Sequence, residues 1–281
     1  MTETVPATDP LDRTVEARGL RFHVVDWGNP AGAPVLFLHG FSGHARTWDH
    51  AARSLRDGFH VVAFDQRGHG DSDPADTYGS RLMVDDVDAV ADALGLDRFA
   101  LVGASMGGVN GYCFAAEHPE RVERLVVIDI GPEVDRRGIE RIMANASGES
   151  VFADADAAYE RARTENPLAD EAMLRNRVER NLRPTADGRV TWKTDPAMRD
   201  FTRPREEIGR DRQWERWRAL QCPTLLLRGS ESDILAADVA DRMVAEHSRA
   251  RLVTIDGASH TVTMDRPVEH DAAIREFLLE G

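Results

Sequence analysis

The sequence predicts an α/β fold with a mostly parallel central sheet, and three observations carry that expectation. Short apolar runs bounded by glycine, aspartate or histidine recur along the chain. Helix-like segments fill the intervals between them. One run, Phe99-Ala100-Leu101-Val102, leads into Gly103-Ala104-Ser105-Met106-Gly107-Gly108 and then a helix-like stretch, the context of a nucleophile elbow.

In chain order, Arg21 to Trp27 alternates in polarity and reads as an early antiparallel strand. Pro34 to Leu38, Val61 to Phe64, Phe99 to Val102 and Leu125 to Ile128 are compact apolar runs, as strands buried on both faces require. Ala45 to Leu55, Ser80 to Leu94 and Val109 to Glu117 suit crossover helices between them. Thr224 to Leu227 and Arg251 to Ile255 repeat the strand pattern around the helix-like Ala236 to Glu246, and Arg266 to Leu279 closes as a helix. Residues 132–218 break this rhythm. They are rich in Arg, Glu, Asp and Ala, carry no convincing strand, and read as a helical lid inserted into a core of residues 1–131 and 219–281. Trp192, Trp214, Trp217, Phe152, Tyr159 and Met143 are expected to supply the lid's apolar face.

Composition excludes several classes. At 281 residues the chain is long for one core without insertions and short for two independent domains. A hydrophobic fraction of 42% with 30% charged residues describes an ordinary globular protein. The net charge is −14, from 49 acidic and 35 basic residues, which disfavours nucleic acid and anionic membrane as partners. Lys193 is the only lysine, a bias without functional meaning. Cys113 and Cys222 are too far apart in sequence for a metal-ligand cluster or disulfide framework and are expected as buried free thiols. Met1 to Arg13 lacks the basic start and apolar core of a signal peptide, and no run of 18 apolar residues occurs. The expectation from composition is a cytoplasmic protein with no metal site built on its cysteines; the oligomeric state is open.

The chemistry centres on Ser105. Gly103 and Gly107 let the backbone pass itself closely at a sharp strand-to-helix turn. That turn leaves the hydroxyl at the N-terminus of the following helix, where amides and the helix dipole favour a developing oxyanion. A serine needs a base, itself oriented by a third group. His260, in Asp256-Gly257-Ala258-Ser259-His260 just after the last strand, is the candidate base. His118, His247 and His270 fall in or beside helices and are expected to be solvated. For the acid, Asp233 follows the strand Thr224 to Leu227 and is the first candidate; Asp129, immediately after Leu125 to Ile128, is its rival, with Glu231 third. The amides of Met106 and Phe41 are the expected oxyanion donors. His39 is expected to pin loops, and the turn Asp65 to Ser72 to bond its own backbone.

At these residues the chain resembles the α/β-hydrolase superfamily. His39-Gly40-Phe41, the Asp65–Ser72 turn, the Ser105 elbow, the loop through Asp233 and Gly257-Ala258-Ser259-His260 occur in the family's order, from about residue 20 to the C-terminus apart from the lid. The resemblance implies a Ser-His-Asp triad, an oxyanion hole at Phe41 and Met106, and a cofactor-free site beneath the lid. It is nearest to the lidded esterases, cofactor-free haloperoxidases, lactonases and carbon–carbon bond hydrolases. Haloalkane dehalogenases and epoxide hydrolases of this superfamily use an aspartate nucleophile, and position 105 is serine. The Gly-Pro-Gly stretch usual in the carbon–carbon hydrolases is replaced by Phe41-Ser42-Gly43-His44. The expected activity is hydrolysis of a carboxylic ester, with lactone or amide as variants. The alternatives are carbon–carbon cleavage of a diketone-type substrate and, third, a non-catalytic receptor.

Overall fold

The computed structural model describes residues 9–280, so most of the segment judged for a signal peptide (residues 1–8) lies outside the described residues. Strands β1 (Leu11–Ala17) and β2 (Leu20–Asp26) form an antiparallel hairpin. There follow β3 (Ala33–Leu38), α1 (Asp49–Leu55), β4 (Phe59–Phe64), α2 (Ser80–Ala93), β5 (Phe99–Ala104), α3 (Met106–Glu117) and β6 (Val122–Ile128). The chain then makes α4 (Arg136–Ala146), β7 (Val151–Phe152), α5 (Ala155–Glu165), α6 (Glu171–Arg180), β8 (Leu182–Pro184), β9 (Val190–Trp192), α7 (Pro196–Arg199) and α8 (Arg210–Ala219). It closes with β10 (Thr224–Gly229), α9 (Ala237–Ala245), β11 (Ala250–Ile255), α10 (Val262–Asp265) and α11 (Pro267–Leu279).

Eight strands form one sheet in the order β1-β2-β4-β3-β5-β6-β10-β11, parallel from β4 to β11. Alternation along each strand divides its apolar side chains between two faces. Leu36, Leu38, Leu101, Leu125 and Val127 face α2, α3 and α9. Val35, Phe37, Val102, Val126 and Ile128 face α1 and α11. Both faces are therefore dry, which is why these strands read as unbroken apolar runs rather than alternating ones. The chain runs from β3 to β4 on one side and returns to β5 on the other. That reversal opens a crevice at the carboxyl ends of β3 and β5, where open α/β sheets bind ligands.

The segment between β6 and β10 differs from expectation in two ways. It contains strand: β7, β9 and β8 form a small antiparallel sheet, invisible in the sequence because its strands are only two or three residues long. Its tryptophans also divide. Phe152 and Tyr159 join Leu174 and Val178 in a separate cluster against which Trp192 packs. Trp214 and Trp217 of α8 instead belong to the main core, with Trp217 edge-on to Tyr112 of α3. Met143 is exposed. The segment is tied to the loop after β3 through α6. His44 Nε2 donates to the Arg177 carbonyl (3.0 Å), and Asn181 Nδ2 donates to the Ser42 carbonyl (3.0 Å).

Both cysteines are buried free thiols. His247 and His270 are buried rather than solvated: His247 bonds Thr224 beneath Trp217, and His270 bonds Asp271 beside Trp48. Among the described residues no helix is long and apolar enough to cross a membrane.

Candidate active site

Ser105 sits between β5 and α3 with φ 50° and ψ −119°, a conformation that costs an L residue energy and is held only by its surroundings. Those surroundings are glycines. A Cβ at Gly103 would lie 2.2 Å from the Gly107 carbonyl oxygen, and one at Gly107 2.3 Å from that of Leu38. The elbow therefore closes onto itself and onto the end of β3. A Cβ at Gly40 would lie 3.2 Å from Ser105 Cβ, so the loop after β3 lies directly over the serine.

His260 reaches the serine from the loop after β11, its Nε2 2.9 Å from Ser105 Oγ. Its Nδ1 is 2.8 Å from Asp129 Oδ2. A carboxylate only accepts, so Nδ1 carries the proton and the Nε2 lone pair faces the serine hydroxyl. The His260 loop is braced by the buried Asp265, which accepts from Ser259 N–H and Oγ–H and from Thr261 Oγ–H.

Asp129, not Asp233, is therefore the carboxylate on His260. Asp129 follows β6, the neighbour of β5, and is fully buried. It also accepts from the Gly229 amide (2.9 Å) and the Ser232 hydroxyl, so its charge is met by three donors. Asp233 lies four residues beyond β10, one strand further away, on a turn against which α4 packs: a Cβ at Gly138 would lie 2.4 Å from the Asp233 carbonyl oxygen. Its carboxylate turns to Arg141, which donates to it twice (2.6 and 2.7 Å) and holds its pKa below the usual carboxylate value. Glu231 is bonded by Ser230 rather than by His260.

The Phe41 and Met106 amides flank Ser105 and donate no hydrogen bond among the described residues. Free backbone donors at a helix start beside a nucleophile can take up an oxyanion. His39 pins loops, as its sequence context suggests. Gln66 N–H donates to Nε2 (2.9 Å), Nδ1 donates to the Gly40 carbonyl, and burial lowers the imidazole pKa to about 3.

His23, Asp65 and Asp71 could in principle hold a metal, with one ligand atom each within 4.8 Å of the others. These atoms are already occupied. Asp65 accepts from the Ala45 and Asp71 amides and pairs with His23, while Asp71 pairs with Lys193. Turn chemistry accounts for the group.

A cavity of about 140 Å³ opens beside the site, lined by Phe41, Ser42, His260 and Thr261 together with residues of α4, α5, α6 and α7. Sequence reasoning missed its polar wall, the Asn181–Ser42 bond and the bracing role of Asp265. Each pairs residues far apart in the chain without a motif of its own.

Comparison with known proteins agrees with this architecture. Residues 33–267 match the family model for the alpha/beta hydrolase fold. Epoxide hydrolase A of Mycobacterium tuberculosis is 30% identical, covering 96% of this chain and 97% of its own. The 2-(acetamidomethylene)succinate hydrolase of Mesorhizobium japonicum is 28% identical over 95% of each chain. Among solved structures, E-2-(acetamidomethylene)succinate hydrolase superposes with a TM-score of 0.86 at 26% identity, covering 96% of this chain and 99% of its own. An α/β hydrolase from Novosphingobium aromaticivorans gives 0.85 at 31%, covering 96% and 98%.

Proposed function

The chain belongs to the α/β-hydrolase fold family, and we propose that it is a serine hydrolase cleaving a small carboxylic ester through an acyl-enzyme on Ser105. The observation that carries this reading is the continuous hydrogen-bond chain Ser105–His260–Asp129. Ser105 Oγ attacks the carbonyl as His260 Nε2 takes its proton, and Asp129 stabilises the imidazolium while fixing its tautomer. The Phe41 and Met106 amides receive the tetrahedral oxyanion. His260 then protonates the leaving oxygen, and a water activated by the same imidazole releases the acid. A lactone or amide would use the same groups, with protonation of the leaving atom mattering more for the amide.

The cavity that His260 lines has a volume of about 140 Å³, close to the roughly 150 Å³ that takes benzene in an engineered protein, so it has room for a short acyl group. The test is Ser105→Ala beside wild type, with fluorophosphonate labelling and a panel of p-nitrophenyl esters. Labelling and turnover are expected to vanish in the variant while its melting curve is retained. A Ser105→Ala protein that still takes the label overturns the assignment.

A further inference from the structure

Of the three arginines that line this cavity, Arg141, Arg177 and Arg199, one has a guanidinium without a partner among the described residues, and it indicates the substrate. Arg141 is held by Asp233. Glu165 accepts from Arg161 (2.6 Å). Arg199 donates to the carbonyls of Ala146 and Gly148, and Glu149 is exposed. Arg177, on α6, is different. Its carbonyl is taken by His44, but its guanidinium makes no hydrogen bond or ion pair among the described residues, although it lines the cavity. Burial disfavours its charge, with only the field of Glu165 acting the other way; a guanidinium nevertheless stays protonated. Arg177 is partly buried, and a partly desolvated guanidinium without a counterion is stabilised by a ligand that supplies one.

Two further polar atoms on residues that line the cavity lack partners. Thr194 Oγ and Asn181 Oδ1 are buried without a hydrogen bond, and both residues line the cavity. The Asn181 amide cannot turn to relieve this, because its Nδ2 holds the Ser42 carbonyl. A free cation and a free hydroxyl donor thus share a small cavity that His260 also lines.

Resting on the serine-hydrolase reading, we propose that the substrate carries a carboxylate remote from the scissile carbonyl, bound by the Arg177 guanidinium with the Thr194 hydroxyl donating beside it. The chain would then act on half-esters or half-amides of short dicarboxylic acids. Arg177 offers paired N–H donors in the planar geometry a carboxylate accepts. Binding such a group through a residue outside the Ser105–His260–Asp129 chain would also fix the acyl carbon over Ser105.

Two measurements test this, one independent of turnover. In calorimetric titrations, glutarate binds wild type and neutral glutaramide does not. Arg177→Gln weakens glutarate by about 10- to 100-fold, the usual weight of a charge-assisted hydrogen bond, and Arg177→Lys recovers part of it. In kinetics, the kcat/KM ratio of p-nitrophenyl hydrogen glutarate to p-nitrophenyl butyrate falls by a similar factor in Arg177→Gln. Should Arg177→Gln fail to fold, Thr194→Val carries the test, with glutarate weakened ~3- to 10-fold by loss of one donor. Wild type that ignores glutarate, or variants that bind it equally well, overturn the proposal. Loss of fluorophosphonate labelling in wild type would instead overturn the serine-hydrolase reading, while glutarate binding through Arg177 would still stand or fall by calorimetry.

Discussion

Replacing Asp129 by asparagine separates the two candidate acids. The Asp129 carboxylate accepts from His260 Nδ1, the Gly229 amide and the Ser232 hydroxyl. Asparagine keeps the volume but offers one acceptor oxygen and an NH2 group. With two fixed donors from the β10 loop competing for that oxygen, the NH2 turns toward His260. Nδ1 must then accept, so Nε2 carries the proton and no lone pair faces Ser105. An imidazole held in the wrong tautomer lowers kcat by about 10⁴-fold in a serine protease triad, or about 5.5 kcal/mol in barrier. Asp233→Asn removes only an ion pair whose side chains are 31% and 37% exposed, worth about 0–1 kcal/mol to stability, and kcat should change no more than a few-fold. The assay is hydrolysis of an activated ester that wild type turns over, with burst kinetics to isolate acylation. A thousand-fold loss in Asp233→Asn with near-normal Asp129→Asn would refute the reasoning.

Two further outcomes follow from geometry and titration. Gly103→Ala should lose ~3 kcal/mol or more, because its new methyl meets Gly107 backbone at 2.2 Å rather than a yielding side chain. Gly58→Ala, with nothing within 4 Å, serves as the control; equal urea midpoints for the two would contradict this account. Acid should destabilise the fold early. His39 is buried and neutral, with its pKa lowered from 6.5 to about 3. The unfolded chain therefore binds a proton that the native chain refuses between these values. Stability is complete above pH 6.5 and falls with pH, by about 3 kcal/mol at pH 4 from this group alone. Urea midpoints that stay level from pH 7 to pH 4 would contradict it.

Much of the sheet was legible because its strands are buried on both faces and their apolar runs are bounded by turn residues. Ser105 and His260 were legible for a related reason. The elbow glycines and the His260 loop answer local steric demands, and those demands appear as short contiguous motifs. The strands β7, β8 and β9 were not legible, since two- and three-residue strands have no period to read. Nor were the positions of Trp214 and Trp217: an aromatic stripe shows that a helix has a buried face but not which core receives it.

Asp129 and Asp233 mark the same boundary inside the site. Both follow strands, and each can be written into the order Ser, Asp, His. What separates them is that β6 lies beside β5 in the sheet while β10 lies one strand beyond, and that α4 draws Asp233 away through Arg141. Sequence by itself determined the fold class, the strained turn at Ser105 and the loop that carries His260, because these depend on local backbone sterics and periodicity. Only the tertiary structure decided which acid faces His260 and which cavity arginine has an unpartnered guanidinium, because a charge's partner is fixed by the packing of distant segments.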